Sequence, residues 1–197
     1  MGEKSDQKKA YILDTARKVF MEKGYKNVTM KDIVEACEIS RGGLYLYFGS
    51  TAELFIAVMQ KEQEDTDDAL EQTLEQEMTV ADILALFFKE QKKEILHVQD
   101  NLTIATYEFF FETKFPKKEN MARRLFERGV RLLSEIIDAG VSTGELQCED
   151  SILAAKNMMF VMEGLRVASR TIGVSEKTVD QQILYMMQGL IAEEESI

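Results

Sequence analysis

The chain has 197 residues, of which 45% are hydrophobic, and its formal net charge is −11 at pH 7. This length can bury a substantial core, in one domain or in a small domain joined to a larger one. The N-terminus is polar and no uncharged apolar run reaches about 18 residues, so we expect neither a signal peptide nor a membrane span. Two cysteines, Cys37 and Cys148, are too few for a disulfide framework, and we expect a cytoplasmic protein.

The composition predicts an all-α protein without catalytic chemistry. Glu, Lys, Leu, Ala, Met and Gln are plentiful, and Pro116 is the single proline. The single histidine, His97, cannot form a metal cluster by itself. The sequence contains no phosphate-binding loop, no Ser/His/Asp spacing and no metal-ligand cluster. We therefore expect no enzymatic activity, no catalytic residues, no cofactor and no metal.

The first predicted helix runs from Lys4 to Lys23, with apolar residues at helical spacing. Gly24 is expected to end it. This helix should pack across the two helices that follow and complete a three-helix head. The polar segment Met1 to Gln7 is predicted to be disordered.

A short helix is predicted directly after Val28. Thr29 can cap it, with Asp32 as the reciprocal partner of a capping box. Apolar residues then recur at i, i+3, i+4 and i+7, which places one stripe on about two helical turns. The stripe consists of Met30, Ile33, Val34 and Cys37. A break at Glu38 and Ile39 should end this helix.

A second short helix is predicted to begin after Ser40, which can cap it. Leu44 and Phe48 are four residues apart and turn inward, and Gly49 can end the helix in the left-handed conformation. The residues that turn outward are Arg41, Gly42, Tyr45 and Leu46. Two short helices joined by a tight turn, the second exposing Arg, Gly and Tyr, form a helix-turn-helix, which is a DNA-binding motif.

Around this motif the chain resembles the TetR family of bacterial transcriptional regulators. The resemblance covers about residues 8 to 55, and its parts occur in order: Gly24-Tyr25, Val28-Thr29-Met30, Ile33, Ala36, Ile39-Ser40-Arg41-Gly42, Leu44-Tyr45, Tyr47-Phe48, Ser50 and Glu53-Leu54. It implies a DNA-binding domain at residues 1–50, joined by a long helix to a helical ligand-binding and dimerisation domain at residues 51–197.

The motif and the resemblance together indicate a DNA-binding set. Arg41 is the candidate for a bidentate contact to guanine. Two adjacent glycines weaken a helix, so Gly42 and Gly43 indicate either close approach of the backbone to the groove or drift at an exposed site. Tyr47 can contact DNA or belong to the core of the head. The full set is Thr29, Lys31, Ser40, Arg41, Gly42, Gly43, Tyr45, Leu46, Tyr47, Ser50 and Thr51.

The distribution of charge bears on DNA binding. Residues 1–50 hold nine Lys/Arg and seven Asp/Glu, whereas the remaining residues hold fifteen and twenty-eight. The acidic body can orient the basic head toward the duplex, or it can simply keep the protein soluble. Many family members place lysines near the positions of Gly49 and Thr51, and this chain has neither. Lys4, Lys8 and Lys9 can contact phosphates, although a solvated charged surface is the favoured reading.

The remaining chain is predicted to form six further segments. A long helix runs from Thr51 to about Met78, with Ser50 and Glu53 as its capping box. Thr79 and Asp82 cap the next helix, and residues 101–115 form the most aromatic segment. An amphipathic helix spans residues 117–139, and Gly140 and Gly144 bracket its end. Asp150 and Ser175 begin the last two helices.

The ligand and dimer surfaces are predicted from aromatic and methionine residues. The aromatic segment can form core and dimer contacts or line a ligand cavity, and Glu163 with Arg166 can be a mutual ion pair or ligand anchors. Candidate ligand-binding residues are Phe87, Tyr107, Phe110, Phe111, Met158, Met159, Met162, Glu163 and Arg166. Candidate dimer residues, on helices that form a four-helix interface in the family, are Ile152, Met159, Val179, Ile183, Met186, Met187 and Leu190.

The predicted function is a homodimeric repressor that binds a pseudo-palindromic operator and is released by a small-molecule effector. Activation in place of repression stays open. The alternative input is thiol-based redox sensing through Cys148 or Cys37. Cys37 lies on an apolar stripe, where an inert thiol is expected, and Cys148 lies beside Glu149 and Asp150, whose carboxylates disfavour a thiolate.

Overall fold

The predicted all-α fold is confirmed by a computed structural model, which describes residues 2–74, 78–97, 100–116 and 120–190. Within these ranges the chain forms nine α-helices and no β-strand. The helices are α1 Gly2–Lys23, α2 Met30–Ala36, α3 Arg41–Tyr45, α4 Thr51–Leu74, α5 Val80–Leu96, α6 Thr103–Glu112, α7 Met121–Thr143, α8 Ser151–Thr171 and α9 Glu176–Gln188. None of the helices in the described part of the chain is long and apolar enough to cross a membrane.

The predicted helix starts are confirmed at several caps. Thr29 and Thr79 each form a capping box with the Asp three residues later. Ser40, Asp150 and Ser175 cap α3, α8 and α9 through side-chain oxygens that accept backbone N–H groups. These caps satisfy amide groups that have no partner within their own helix, and sequence spacing alone reveals them because they are local.

Several helix ends differ from the prediction. Because α1 begins at Gly2, the predicted disorder of residues 2–7 is wrong. Gly24 ends α1 with a φ of 73°, as predicted, whereas Gly49 is not left-handed. The left-handed residue of this region is Glu38, with a φ of 52°, in the turn between α2 and α3. The predicted start of α7 at Lys117 lies outside the described residues, as do residues 75–77, which precede the predicted end of α4 near Met78.

Gly140 does not end α7 but lies inside it. The helix continues to Thr143 and stops at Gly144, whose φ is 78°. A Cβ on Gly140 would lie 2.5 Å from Leu146 Cδ1 and 2.9 Å from Val80 Cγ1. Gly140 is therefore a site of close packing, where the neighbouring side chains leave no room for a methyl group.

The chain divides into two compact units. The first, here called the head unit, comprises Met1–Gln76 and Gln99–Lys114 and contains α1 to α4 and α6. The second, the body unit, comprises Glu77–Val98 and Phe115–Ile197 and contains α5, α7, α8 and α9. Helix α6 thus packs with the head although its neighbours in sequence belong to the body.

An aromatic cluster forms the core of the head unit where α1, α4 and α6 meet. The rings of Phe20 and Phe55 have centroids 4.7 Å apart, and Phe109 of α6 lies 5.2 Å from Phe55 and 5.0 Å from Tyr25. Phe20, Phe55 and Phe109 are fully buried. Edge-to-face and tilted pairs of this kind add to the stabilisation from apolar burial.

The core of the body unit is aliphatic and rich in methionine. Leu84 of α5, Leu133 and Ile137 of α7 and Met162 of α8 are fully buried. Val179, Met186 and Leu190 add the inward face of α9. Continuous apolar stripes on four helices therefore account for this unit.

Candidate nucleic-acid interface

Helices α2 and α3 form the predicted helix-turn-helix. Ile33 of α2 and Leu44 of α3 are fully buried, and Phe48 follows α3 into the same core. Tyr11 of α1 donates a hydrogen bond of 3.4 Å from its hydroxyl to the carbonyl of Cys37, at the end of α2. The two short helices are therefore fixed by α1, and the opposite side of α3 is left exposed.

The exposed side of α3 carries the predicted reading residues. Arg41 and Gly42 are exposed, Tyr45 keeps 42% of its surface, and Leu46 keeps 84%. The guanidinium carbon of Arg41 lies 5.4 Å from the centre of the Tyr45 ring. This cation–π contact restricts the Arg41 side chain before any DNA is bound. A Cβ on Gly42 would meet nothing within 4 Å.

The N-terminal end of α2 is occupied by its own capping box. The Asp32 carboxylate accepts hydrogen bonds from the Thr29 amide at 2.9 Å and from the Thr29 hydroxyl. Lys23 pairs with the same carboxylate at 2.6 Å. The hydrogen bond from Lys23, and then those from Thr29, hold the pKa of Asp32 well below its ordinary value. Lys31 is exposed and lies 3.5 Å from Glu35.

The remaining predicted DNA-binding residues are partly engaged within the protein. The Gly43 amide donates to Ser40 Oγ at 3.1 Å, and the Tyr47 hydroxyl lies 3.4 Å from Ser5 Oγ. Ser50 Oγ accepts the Glu53 amide at 3.1 Å. The Glu53 carboxylate accepts the amide of Gly49. Tyr47 and Thr51 are half-buried.

The predicted ligand residues of the body unit are mostly packed or paired. Met158 and Met162 are buried in the core, whereas Met159 and Phe87 are half-buried at its edge. Met159 lies against Gly129, where a Cβ would stand 2.6 Å from its methyl carbon. The predicted methionine cluster is thus divided between the core and its margin.

Glu163 and Arg166 form a mutual ion pair. Arg166 Nη1 donates to Glu163 Oε1 at 2.6 Å, and Nη2 donates to Gln91 of α5. Glu94 lies 3.5 Å from the same nitrogen. Of the two predicted readings, the structure shows the pairing, which joins α8 to α5 through a largely buried guanidinium.

The other three predicted ligand residues belong to α6 in the head unit. The rings of Tyr107 and Phe111 stack with centroids 6.4 Å apart, and Phe110 is half-buried beside Phe109. Phe111 keeps 85% of its surface exposed. The aromatic residue at the centre of the head core, Phe109, was absent from the predicted set.

The predicted dimer residues are also divided. Val179, Met186 and Leu190 are buried within the body unit itself, whereas Ile152 is exposed and Met159, Ile183 and Met187 are half-buried. Large apolar residues outside the predicted set are exposed on α8 and α9: Leu153, Phe160, Val167, Leu184 and Tyr185. Leu153, Phe160 and Val167 recur every seven residues and therefore share one helix face.

An open groove of about 370 Å³ runs between the C-terminal half of α8 and the start of α9. Its walls include Gly164, Leu165, Ala168, Val174 and Thr178. None of the predicted ligand residues is among the residues that line it. In the described part of the chain, no group of three or more His, Cys, Asp or Glu side chains is placed to hold a metal ion.

The placement of Cys37 disfavours redox chemistry. Its side chain is buried, and burial raises the pKa of the thiol, so the reactive thiolate is suppressed. Cys148 is half-buried and packs against the core of the body unit.

Two family models match this architecture. The model for bacterial regulatory proteins of the tetR family matches residues 12–58, which contain α2, α3 and most of α1. The model for the tetracyclin repressor-like C-terminal domain matches residues 83–192, more than half of the chain. The chain belongs to the TetR family. It is a DNA-binding transcriptional regulator with an N-terminal helix-turn-helix and a helical C-terminal body.

Individual relatives agree with this assignment. The uncharacterized HTH-type transcriptional regulator YfiR of Bacillus subtilis is 30% identical over 146 residues, which span 74% of this chain and 71% of YfiR. A putative transcriptional regulator from Saccharomonospora viridis, solved with choline, aligns with a TM-score of 0.81 at 16% identity over 95% of this chain and all of that one. FadR from Bacillus subtilis, solved with stearoyl-CoA, gives 0.72 at 20% identity over 91% and 98%. At these identities the two structures show the shared fold.

Proposed function

We propose that this regulator is a homodimeric repressor that binds a pseudo-palindromic operator through α3 and is released by a small-molecule effector. The observation that carries the DNA-binding part is the exposed face of α3, where Arg41 lies over Tyr45 beside the open backbone of Gly42. A guanidinium restricted in this way loses less freedom when it binds a base edge.

Each residue of this face suits a distinct contact. Arg41 can donate two hydrogen bonds to guanine O6 and N7, a contact that provides about 1–3 kcal/mol of discrimination. Tyr45 offers a hydroxyl for a phosphate oxygen, and Leu46 offers apolar contact to a thymine methyl. Ser40, Ser50 and Thr51 are proposed to contact the DNA phosphate backbone through hydroxyl and amide groups and thereby to position the protein on the duplex. Because Asp32 already accepts the Thr29 amide and Lys31 pairs with Glu35, we assign Thr29 and Lys31 a supporting role.

The dimer is proposed to form through the exposed apolar residues of α8 and α9. Leu153, Phe160 and Val167 present one stripe on α8, and Leu184 and Tyr185 add an apolar surface on α9. A contiguous apolar surface of this kind is typical of protein–protein contacts. A two-fold dimer would place two α3 helices in successive major grooves, about 34–36 Å apart, which matches a pseudo-palindrome.

The effector is proposed to be an apolar or amphipathic small molecule that binds within residues 51–197, the predicted ligand-binding and dimerisation domain. The structural relatives solved with stearoyl-CoA and with choline support a ligand-binding role for this fold. In the body unit, the half-buried Phe87 and Met159 keep surface that a ligand can contact. The paired Arg166 and Glu163 are proposed to brace α8 against α5.

Helix α6 is the proposed link between effector and DNA. Its Glu108 accepts the backbone amide of Lys26 at 3.0 Å, and its Glu112 pairs with the Lys26 ammonium at 3.2 Å. Because α6 is joined in sequence to α5 and α7, a shift of those helices can reach the segment between α1 and α2. The effector can change DNA affinity only by its differential affinity for the two states, typically about 1–3 kcal/mol.

Substitution of Arg41 by alanine tests the proposed reading function. We expect Arg41→Ala to lose operator discrimination while the protein stays folded and dimeric, because Arg41 is exposed and its ring contact is with Tyr45, an exposed residue of the same helix. Competition gel shifts with the operator and a single-base variant at the contacted guanine measure the discrimination. An unchanged ratio of affinities for the two duplexes would remove Arg41 from the reading surface.

A further inference from the structure

The first two turns of α1 lie beside the recognition helix. Ser5 Oγ is 3.4 Å from the Tyr47 hydroxyl, just after α3. Lys8 Nζ lies 3.7 Å from the position that a Cβ on Gly43 would take, so its ammonium stands next to the first turn of α3. Residues 5 and 8 are three apart and therefore share one face of α1. Both contacts place that face along α3.

Several basic residues of the head unit form ion pairs with carboxylates. Lys23 pairs with Asp32, Lys26 with Glu112, and Arg17 with Glu62. Among the side chains that the structure describes, no carboxylate forms an ion pair with Lys8. The exposed face of α3 itself contributes one cation, Arg41. Lys8 therefore supplies a second positive charge at the edge of the same surface.

We propose that Lys8 is a DNA-binding residue that contacts a phosphate flanking the bases read by α3. A lysine ammonium is a compact charge on a flexible stem, which suits a phosphate oxygen better than the fixed geometry of a base edge. Ser5 holds the Tyr47 side chain at the same edge. The start of α1 thereby extends the DNA-binding surface beyond the helix-turn-helix. This inference rests on the proposed operator binding.

The salt dependence of binding tests the inference, with a neighbouring lysine as the control. Lys8→Gln and Lys9→Gln remove the same charge one residue apart, and both side chains are exposed. The slope of log K against log salt is negative. Loss of one phosphate contact reduces its magnitude by about 0.9, or by about 1.8 for a dimer on two half-sites. At 0.15 M salt this corresponds to about fivefold weaker binding per half-site. We expect Lys8→Gln, but not Lys9→Gln, to show this weaker binding and smaller slope, equally on the operator and on an unrelated duplex. Lys8→Arg should recover the slope of the parent.

Each outcome has one meaning. If the unsubstituted protein selects an operator but the two glutamine variants show the same slope, whether changed or not, Lys8 makes no specific phosphate contact. A loss confined to the operator would also contradict the inference, since a phosphate contact carries no base information. If the unsubstituted protein selects no duplex, the proposed function fails first. Thermal unfolding of each variant verifies that the fold is intact.

Discussion

A methyl group at position 42 has different consequences in the free protein and in a DNA complex. In the free protein, a Cβ on Gly42 meets no atom within 4 Å, so Gly42→Ala creates no steric conflict. Gly42 is the second residue of α3, and replacing glycine by alanine inside a helix stabilises it by up to about 1 kcal/mol. The variant should therefore be as stable as the parent or slightly more stable.

In the complex, the same methyl must fit between α3 and the DNA. If the Gly42 backbone approaches the groove closely, an added methyl costs about 1–3 kcal/mol, as in other overpacked sites. This range corresponds to about five- to 150-fold weaker binding per half-site. Gly43→Ala is a less clean test, because its Cβ would lie 3.1 Å from the Ser40 hydroxyl that caps α3.

Fluorescence anisotropy with a labelled operator duplex measures the effect, and denaturant unfolding measures stability. Gly189→Ala is the matched control, because its Cβ also meets nothing within 4 Å and it lies at the end of α9, outside the proposed DNA surface. We expect weaker binding for Gly42→Ala alone, with undiminished stability. Equal affinities of Gly42→Ala and the parent would refute close approach and leave the two glycines as drift.

Three further predictions concern the fold and the dimer. Asp32→Asn should lower the free energy of unfolding at pH 7, and the difference from the parent should shrink as pH falls, because native contacts hold the carboxyl pKa below its ordinary value; equal differences at pH 7 and pH 3 would contradict this. Gly24→Ala should destabilise by about 1–2 kcal/mol for its left-handed backbone even when Glu108→Ala removes the crowding side chain, as a double-mutant cycle can measure. Phe160→Glu should yield monomers in sedimentation experiments, whereas Phe111→Glu, which also replaces an exposed phenylalanine but on α6, should not. Dimers in both variants would place the interface elsewhere.

Local features of the fold were readable from the sequence because their signals lie within a few residues. The capping boxes at Thr29 and Thr79 each need only a hydroxyl and a carboxylate three positions apart. The inward positions of Leu44 and Phe48 follow from helical spacing. Glu38, in the turn between α2 and α3, has a φ of 52° although no glycine marks that position in the sequence.

The division of apolar residues among core, interface and ligand surfaces was not readable. Periodicity identifies an apolar face but not the surface it packs against. Val179 and Phe160 are both apolar residues on helices, yet Val179 is buried and Phe160 is exposed. The same limit applies to α6, whose Phe109 completes the core of the head unit. Phosphate contact by Lys8 was one of two readings of the sequence, and the proximity of Lys8 to Gly43, which bears on it, depends on packing between residues far apart in sequence.

Selection from a random pool of duplexes at low salt tests the central claim most directly. The unsubstituted protein is predicted to enrich a pseudo-palindromic site whose half-sites are separated by about one helical turn. Each half-site should contain a guanine whose replacement weakens binding of the parent but not of Arg41→Ala. Recovery of a pool without any shared sequence would contradict DNA reading by α3, and a single unpaired half-site would contradict the two-fold dimer.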